Sequence, residues 1–257
     1  MELISLARNP VPTGAKSGSF KGYDGHELRF ALWEATRGPR RGTVCIFEGR
    51  TEFIEKYFET VGDLRRRGFA VAVMDWRGQG GSARPVGDPR KGHIHSFSEY
   101  DRDLRCFMRD IVLPDCPPPF IALGHSMGGH IALRSMAEPG CWFDSAVLAA
   151  PMIELTREVL GFPRSLVEFY ARLGVASRFG RSYVRGGSDE PGYTTEFEGN
   201  MLSSDPERFR RNRQIERAAP ELLLGSPTIG WLDAAMRSMR QLRHEDFAAR
   251  VRVPALI

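Results

Sequence analysis

Lysine is almost missing from this sequence. Lys16, Lys21, Lys56 and Lys91 are the only lysines among 36 basic residues, so arginine carries nearly all of the positive charge. An arginine-rich surface can pair with phosphate head groups at a membrane. A solvated, compositionally biased face gives the same count, and that plainer reading has the greater weight. Cysteine is scarce too: Cys45, Cys106, Cys116 and Cys141 stand far apart, with no C-x-x-C pair. That spacing argues against a zinc site and a disulfide scaffold, and it suits a reducing compartment. No apolar run is long enough to span a bilayer. The opening MELISLARNPVP lacks the basic start and apolar stretch of a signal peptide, so none is expected. There is no internal repeat and no low-complexity tract. The expectation is a cytoplasmic protein that binds no nucleic acid, with peripheral contact at the inner membrane face left open.

What is there fits one folded α/β domain with an insertion. The chain has 257 residues, 42% hydrophobic and 26% charged, enough to bury a substantial core. A hairpin is predicted from 17–22 and 27–35 around the turn signal Tyr23-Asp24-Gly25. The short apolar run at 42–47 reads as a strand of a sheet covered on both faces, and 69–74, 120–123 and 145–150 read as further strands. Helical periodicity falls between them at 53–67, 98–111 and 128–137. This alternation predicts a mostly parallel, doubly wound sheet with right-handed crossovers. From Pro151 to about Pro227 the alternation stops, and strand character returns only in VRVPALI (251–257). The expected division is therefore a core over 1–151, a helical lid insertion over 152–229, and a return to the core over 230–257. An independent domain is the alternative, but no long linker precedes the interval.

Chemistry concentrates in Gly124-His125-Ser126-Met127-Gly128, set between an apolar strand and an amphipathic helix. The G-x-S-x-G pattern alone is weak in a chain with 27 glycines. Its strand–turn–helix setting is what gives it force, because a nucleophile elbow needs a serine at the tip of a tight turn. Gly124 and Gly128 are expected to be small because side chains there would collide across that turn. The following helix aims its positive end at the reacting oxygen. Ser126 is the candidate nucleophile. The backbone N–H of Met127 and that of Arg50, in the loop Glu48–Glu52 after the strand 42–47, are the candidate oxyanion donors. Asp75-Trp76-Arg77-Gly78-Gln79-Gly80-Gly81-Ser82 lacks phosphate-loop spacing, and Asp75 and Arg77 are expected to organise that loop.

Five segments carry a resemblance: EGRTEFIEKY (48–57), DWRGQGGS (75–82), GHIHSFSEYDRDL (92–104), GHSMGGHIAL (124–133) and SAVLAAPM (145–152). In this order and spacing the chain resembles the lysophospholipase and monoacylglycerol lipase branch of the α/β-hydrolase fold. LSSDPERFRRN (202–212) and GSPTIGWL (225–232) are similar to its lid and post-lid helix. The resemblance implies hydrolysis of a lipid ester through an acyl-serine, with no metal and no organic cofactor. It also marks one departure, Glu48-Gly49 where many lipases have His-Gly. Other serine hydrolases of the fold (aminopeptidase, thioesterase, small-ester esterase) and a non-catalytic binding protein on the same scaffold are the competing readings. The apolar residues Leu160, Phe162, Leu166, Val167, Phe169 and Tyr170 either line an acyl pocket or form the lid's own small core.

A serine nucleophile needs a histidine base oriented by a carboxylate. The resemblance places the acid after the strand that VRVPALI begins, and the histidine further on. His26, His93, His95, His125, His130 and His244 do not occupy such a position. His125 is expected to point away from Ser126, His130 to pack or meet solvent, and His93 and His95 to be structural. His244 is expected at an exposed helix end and Glu154 at a lid hinge. The expectation is a C-terminally incomplete enzyme lacking the last strand and helix, inactive alone; a true pseudoenzyme is the alternative.

Overall fold

The computed structural model describes residues 2–156, 161–190, 196–200 and 203–257. Its centre is a seven-stranded sheet. The strands are β1 (Lys16–Lys21), β2 (Glu27–Trp33), β3 (Thr43–Phe47), β4 (Ala70–Met74), β5 (Phe120–His125), β6 (Ser145–Ala149) and β7 (Ala255–Leu256). They lie in the order β1-β2-β4-β3-β5-β6-β7. The β1–β2 and β2–β4 pairs are antiparallel, and every pair from β4 to β7 is parallel. The β1–β2 turn closes through Gly22 N–H to His26 O at 2.8 Å, with Gly25 at φ 85°.

Both faces are covered at the centre of the sheet, where β3 and β4 are wholly buried, whereas β6 buries Ala146 and Leu148 and exposes Val147 and Ala149. Side chains alternate along a strand, so β3 and β4 each feed two cores. Cys45, Phe47, Ala72 and Met74 enter one core, with helices α2 (Ser98–Phe107), α3 (Met127–Met136) and α6 (Ile229–Leu242). Val44, Ile46, Val71 and Val73 enter the other, with Phe58 and Val61 of α1 (Phe58–Arg66). The first predicted helix begins as a 3-10 turn, Ile54–Tyr57, and α2 continues through a π turn over Met108–Val112.

Between β6 and α6, α4 (Arg164–Ala176) and α5 (Pro206–Ala218) form, and the described residues there add no strand to the sheet. Asp205 caps α5, accepting from Glu207 N–H and Arg208 N–H, with Pro206 following where its missing N–H costs nothing. Thr228 caps α6 through Trp231 N–H. A short helix α7 (Glu245–Arg250) follows. The strand predicted over 251–257 is shorter than expected. Only Ala255–Leu256 pair with β6, starting where Ala146 N–H donates to Pro254 O at 2.9 Å. Pro254 itself has no N–H to give, and Val251 and Val253 pack against the core instead.

Candidate active site

Three parallel strands deliver the candidate groups to one edge. Phe47 ends β3 beside Gly124 of β5, and His125 ends β5 beside Ala149 of β6. Ser126 follows at φ 49°, ψ −113°, a conformation that L-residues avoid. Hydrogen bonds hold it there. Its N–H donates to Ala149 O at 3.1 Å, and its carbonyl accepts from His130 N–H (3.0 Å) and Met152 N–H (2.9 Å). The two glycines of the turn have no room for a side chain. A Cβ at Gly124 would lie 2.6 Å from Gly129 Cα, and one at Gly128 only 2.0 Å from Phe47 O.

The Glu48–Glu52 loop faces this turn across the Gly128 contact. Gly49 N–H is taken by Glu52 Oε2 (2.5 Å), which also accepts from Tyr57 Oη (2.7 Å). Arg50 N–H and Met127 N–H find no protein acceptor among the described residues. The loop is braced from behind by groups the sequence reading did not single out. Gln79 Nε2 donates to Gly49 O (2.8 Å) and Glu52 O (3.0 Å), and Trp76 Nε1 to Glu48 O (3.0 Å). Gln79 and Trp76 therefore give the loop its polar support. The available signal was the position of DWRGQGGS after a strand adjacent to β3. Burial, then the neighbouring Asp75, pushes the Glu48 carboxyl well above its ordinary range.

Below that loop lies a second ionic centre. Arg29, fully enclosed, makes a two-pronged bond to Glu55 (2.8 and 2.7 Å) and donates through Nε to Asp75 (2.6 Å). Asp75 also accepts from Ile54 N–H and Gly81 N–H. Arg77 bonds Asp103 and Asp24 in the same manner. The predicted organising role of Asp75 and Arg77 thus has its geometry: they fasten the loops after β4 to β2, α2 and the β1–β2 turn.

No side chain hydrogen-bonds Ser126 Oγ among the described residues. His125 points to Glu52 (Nδ1–Oε2, 2.9 Å). That bond raises the His125 pKa, and burial alone would raise that of Glu52 were it not for His125, Tyr57 and Gly49, which bring it down. His130 does not meet solvent. It is buried, with Nδ1 2.7 Å from Met152 O and Nε2 2.7 Å from Ser238 Oγ. A carbonyl can only accept, which puts the proton on Nδ1 and makes Nε2 the acceptor. His93 bonds Thr228 Oγ1 (3.0 Å), His95 packs edge-on against His93, and His26 and His244 pair with Asp24 and Asp246. Glu154 ties Arg164 of α4 to Arg243 beyond α6.

Burial holds the His130 pKa down to about 4. The unfolded imidazole takes a proton near pH 6.5 and the folded one does not, so stability is lost as pH falls from about 6.5 to 4. A change of this size corresponds to about 3 kcal/mol. Urea titrations of a His130→Asn variant are expected to give lower stability at pH 7 but a shallower loss between pH 6.5 and 4.5. Parallel pH slopes for variant and wild type would contradict this.

An apolar cavity of about 530 Å³ lies between the insertion and α6. Phe162, Leu166, Val167 and Tyr170 line it together with Trp231 and Leu232. Phe169 does neither of the things expected of it, since it is 66% exposed, and Leu160 lies outside the described residues. Arg50 reaches the same wall. Its guanidinium stacks 5.2 Å from the Trp231 ring and donates to Gly225 O at 3.0 Å. The four cysteines are free thiols.

The family described as serine aminopeptidase, S33, matches residues 38–257. Lysophospholipase L2 of Escherichia coli (strain K12) is 32% identical over 224 residues, covering 87% of this chain and 64% of that protein. The chain thus spans less than two thirds of that relative's length. Among solved structures, a thermostable carboxyl esterase from Bacillus coagulans superposes with TM-score 0.67 at 21% identity, over 95% of this chain and 78% of the other. A soluble variant of monoglyceride lipase from Saccharomyces cerevisiae gives 0.67 at 19% identity, over 92% and 72%. These two likenesses establish the α/β-hydrolase fold.

Proposed function

Since the chain belongs to the serine aminopeptidase, S33, family, we propose that it is a serine hydrolase cleaving carboxylic esters of lipids, a lysophospholipid or a monoacylglycerol. The observation that carries the reading is Ser126 at φ 49° between β5 and α3, with no room for a side chain at either flanking glycine. Such strain persists where surrounding structure enforces it, as at nucleophile elbows. Ser126 Oγ attacks the acyl carbonyl, and the free N–H groups of Arg50 and Met127 donate to the oxyanion. A general base takes the Ser126 proton during attack and returns it to the alkoxide as collapse expels the alcohol, leaving an acyl-serine. The same base then takes a proton from the water that hydrolyses it. In their present positions none of the six histidines is the base that takes the Ser126 proton.

The apolar cavity supports a lipid over a peptide. Its described lining holds Arg185 but no carboxylate to meet the amino group of an aminopeptidase substrate. We also propose that residues 152–229 act as a lid. The outward side chains of Leu166, Phe169 and Leu173, spaced along one face of α4, support contact with a membrane surface. No helix among the described residues is long and apolar enough to cross a membrane. A substrate panel tests the reading, using the protein translated to the end of its reading frame. Turnover of 1-acyl lysophosphatidylcholine or monoolein is expected to exceed that of aminoacyl p-nitroanilides at least 100-fold in kcat/KM. Preference for the anilides would reject the lipid assignment.

A further inference from the structure

A second cavity, of about 210 Å³, opens on the other side of α6 from Trp231. His93, His95, Arg178, Arg181, Asp233 and Arg237 are among the residues lining it. It falls below the roughly 300–1,000 Å³ of pockets that bury drug-sized ligands, so it suits a small ion or head group. Its charge is one-sided. Arg237 is held by Asp233 (2.8 Å) and donates to His95 O (2.6 Å). Arg178 and Arg181 have no carboxylate, and their guanidinium groups bond no helix carbonyl, among the described residues.

Two further observations mark the cavity as built for a ligand. His93 is only 6% exposed, yet its Nε2 is buried with no hydrogen-bond partner. Its Nδ1 faces Thr228 Oγ1, which already accepts from Trp231 N–H. The Thr228 hydroxyl proton is thus free to donate to Nδ1, leaving Nε2 as an N–H donor without an acceptor. Burial, then the charges of His95 and Arg181, keeps this imidazole uncharged, with a pKa of about 4. The other observation is Arg178, at φ 67° just past the C-terminus of α4. Glycine is the usual occupant of such a position.

We propose that this cavity is an anion site for a phosphate group, gripped by Arg178 and Arg181 beside the His93 ring. Guanidinium forks match phosphate oxygens in pairs. The site does not depend on Ser126 or on the lipid reading. Calorimetric titration at constant ionic strength tests it with two probes, inorganic phosphate and glycerophosphocholine. Saturable binding of phosphate alone identifies a free phosphate or phosphomonoester as the natural ligand. Binding of glycerophosphocholine identifies a lipid head group. In either case an Arg178→Ala/Arg181→Ala variant is expected to lose about a hundredfold or more in affinity, since two charge-assisted hydrogen-bonding groups are removed. Both residues are exposed, so its melting temperature should stay near wild type. Arg178→Lys/Arg181→Lys should fall between the two, and Arg210→Ala, on α5, should change nothing. No heat with either probe, or equal affinity in the double alanine variant, would overturn the proposal.

Discussion

In the protein translated to the end of its reading frame, alanine at position 126 is expected to lower turnover of lysophospholipid and monoacylglycerol by about 10⁴- to 10⁶-fold without unfolding the protein. The substitution removes one hydroxyl that no described side chain contacts, so the elbow and both free N–H groups remain. Binding and oxyanion stabilisation account for the residual rate. An active-site fluorophosphonate makes the test independent of substrate choice. Labelling should be present in wild type and absent in Ser126→Ala, and labelling that survives would mean another nucleophile. The strained backbone gives the prediction a second arm. Serine and alanine both pay for φ 49°, whereas glycine does not. Ser126→Gly is therefore expected to be inactive but more stable than Ser126→Ala, by about 1 kcal/mol. An equal or lower melting temperature for the glycine variant would show that the turn is not strained.

Gly128→Ala should be the most damaging glycine-to-alanine change among the described residues. The added carbon would sit 2.0 Å from Phe47 O, 2.3 Å from Phe47 C and 2.6 Å from Glu48 O. All three are backbone atoms at the end of a buried strand, so no side chain can swing aside. Relief requires either α3 or the start of the Glu48–Glu52 loop to move. Overpacking of this kind costs about 1–3 kcal/mol and occasionally more, and contact with fixed backbone puts it at the upper end. Because the displaced loop carries Arg50 N–H, activity should fall at least as far as on loss of one oxyanion donor, about 10²- to 10³-fold. Gly87→Ala is the control: its Cβ meets nothing within 4 Å. Denaturant midpoints and fluorophosphonate labelling rates on the two variants decide the matter. A Gly128→Ala protein with wild-type labelling would separate the loop from the reaction.

The parts of this molecule governed by local periodicity could be read before the structure was seen. Apolar runs such as 42–47 and 69–74 declare strands because both faces are covered, and the turn at Ser126 declares itself through glycines that only a crowded elbow requires. Side-chain partnerships across the sheet could not be read in that way. Nothing in the sequence near Gln79 says that its amide will brace Gly49 and Glu52, thirty and twenty-seven residues away. His130 left packing and solvent equally open because one turn of helix past the nucleophile does not specify which face is buried. The end of the chain misled for a different reason. VRVPALI has strand composition, but Pro254 cannot donate, and pairing starts only at its carbonyl.

His130 fastens three things with one ring. It sits on the helix that begins at the elbow, and it reaches Met152 at the entry to the proposed lid and Ser238 on the helix that leaves it. Glu154 repeats the tie, joining Arg164 to Arg243. Both seams of the interval are thus anchored to the core, while its outer face carries the exposed apolar side chains of α4. An arrangement of this kind lets the interval be exchanged as a cassette. A lid from a relative, spliced between the Met152 carbonyl and the Ser238 hydroxyl, meets attachment points that do not change with its contents.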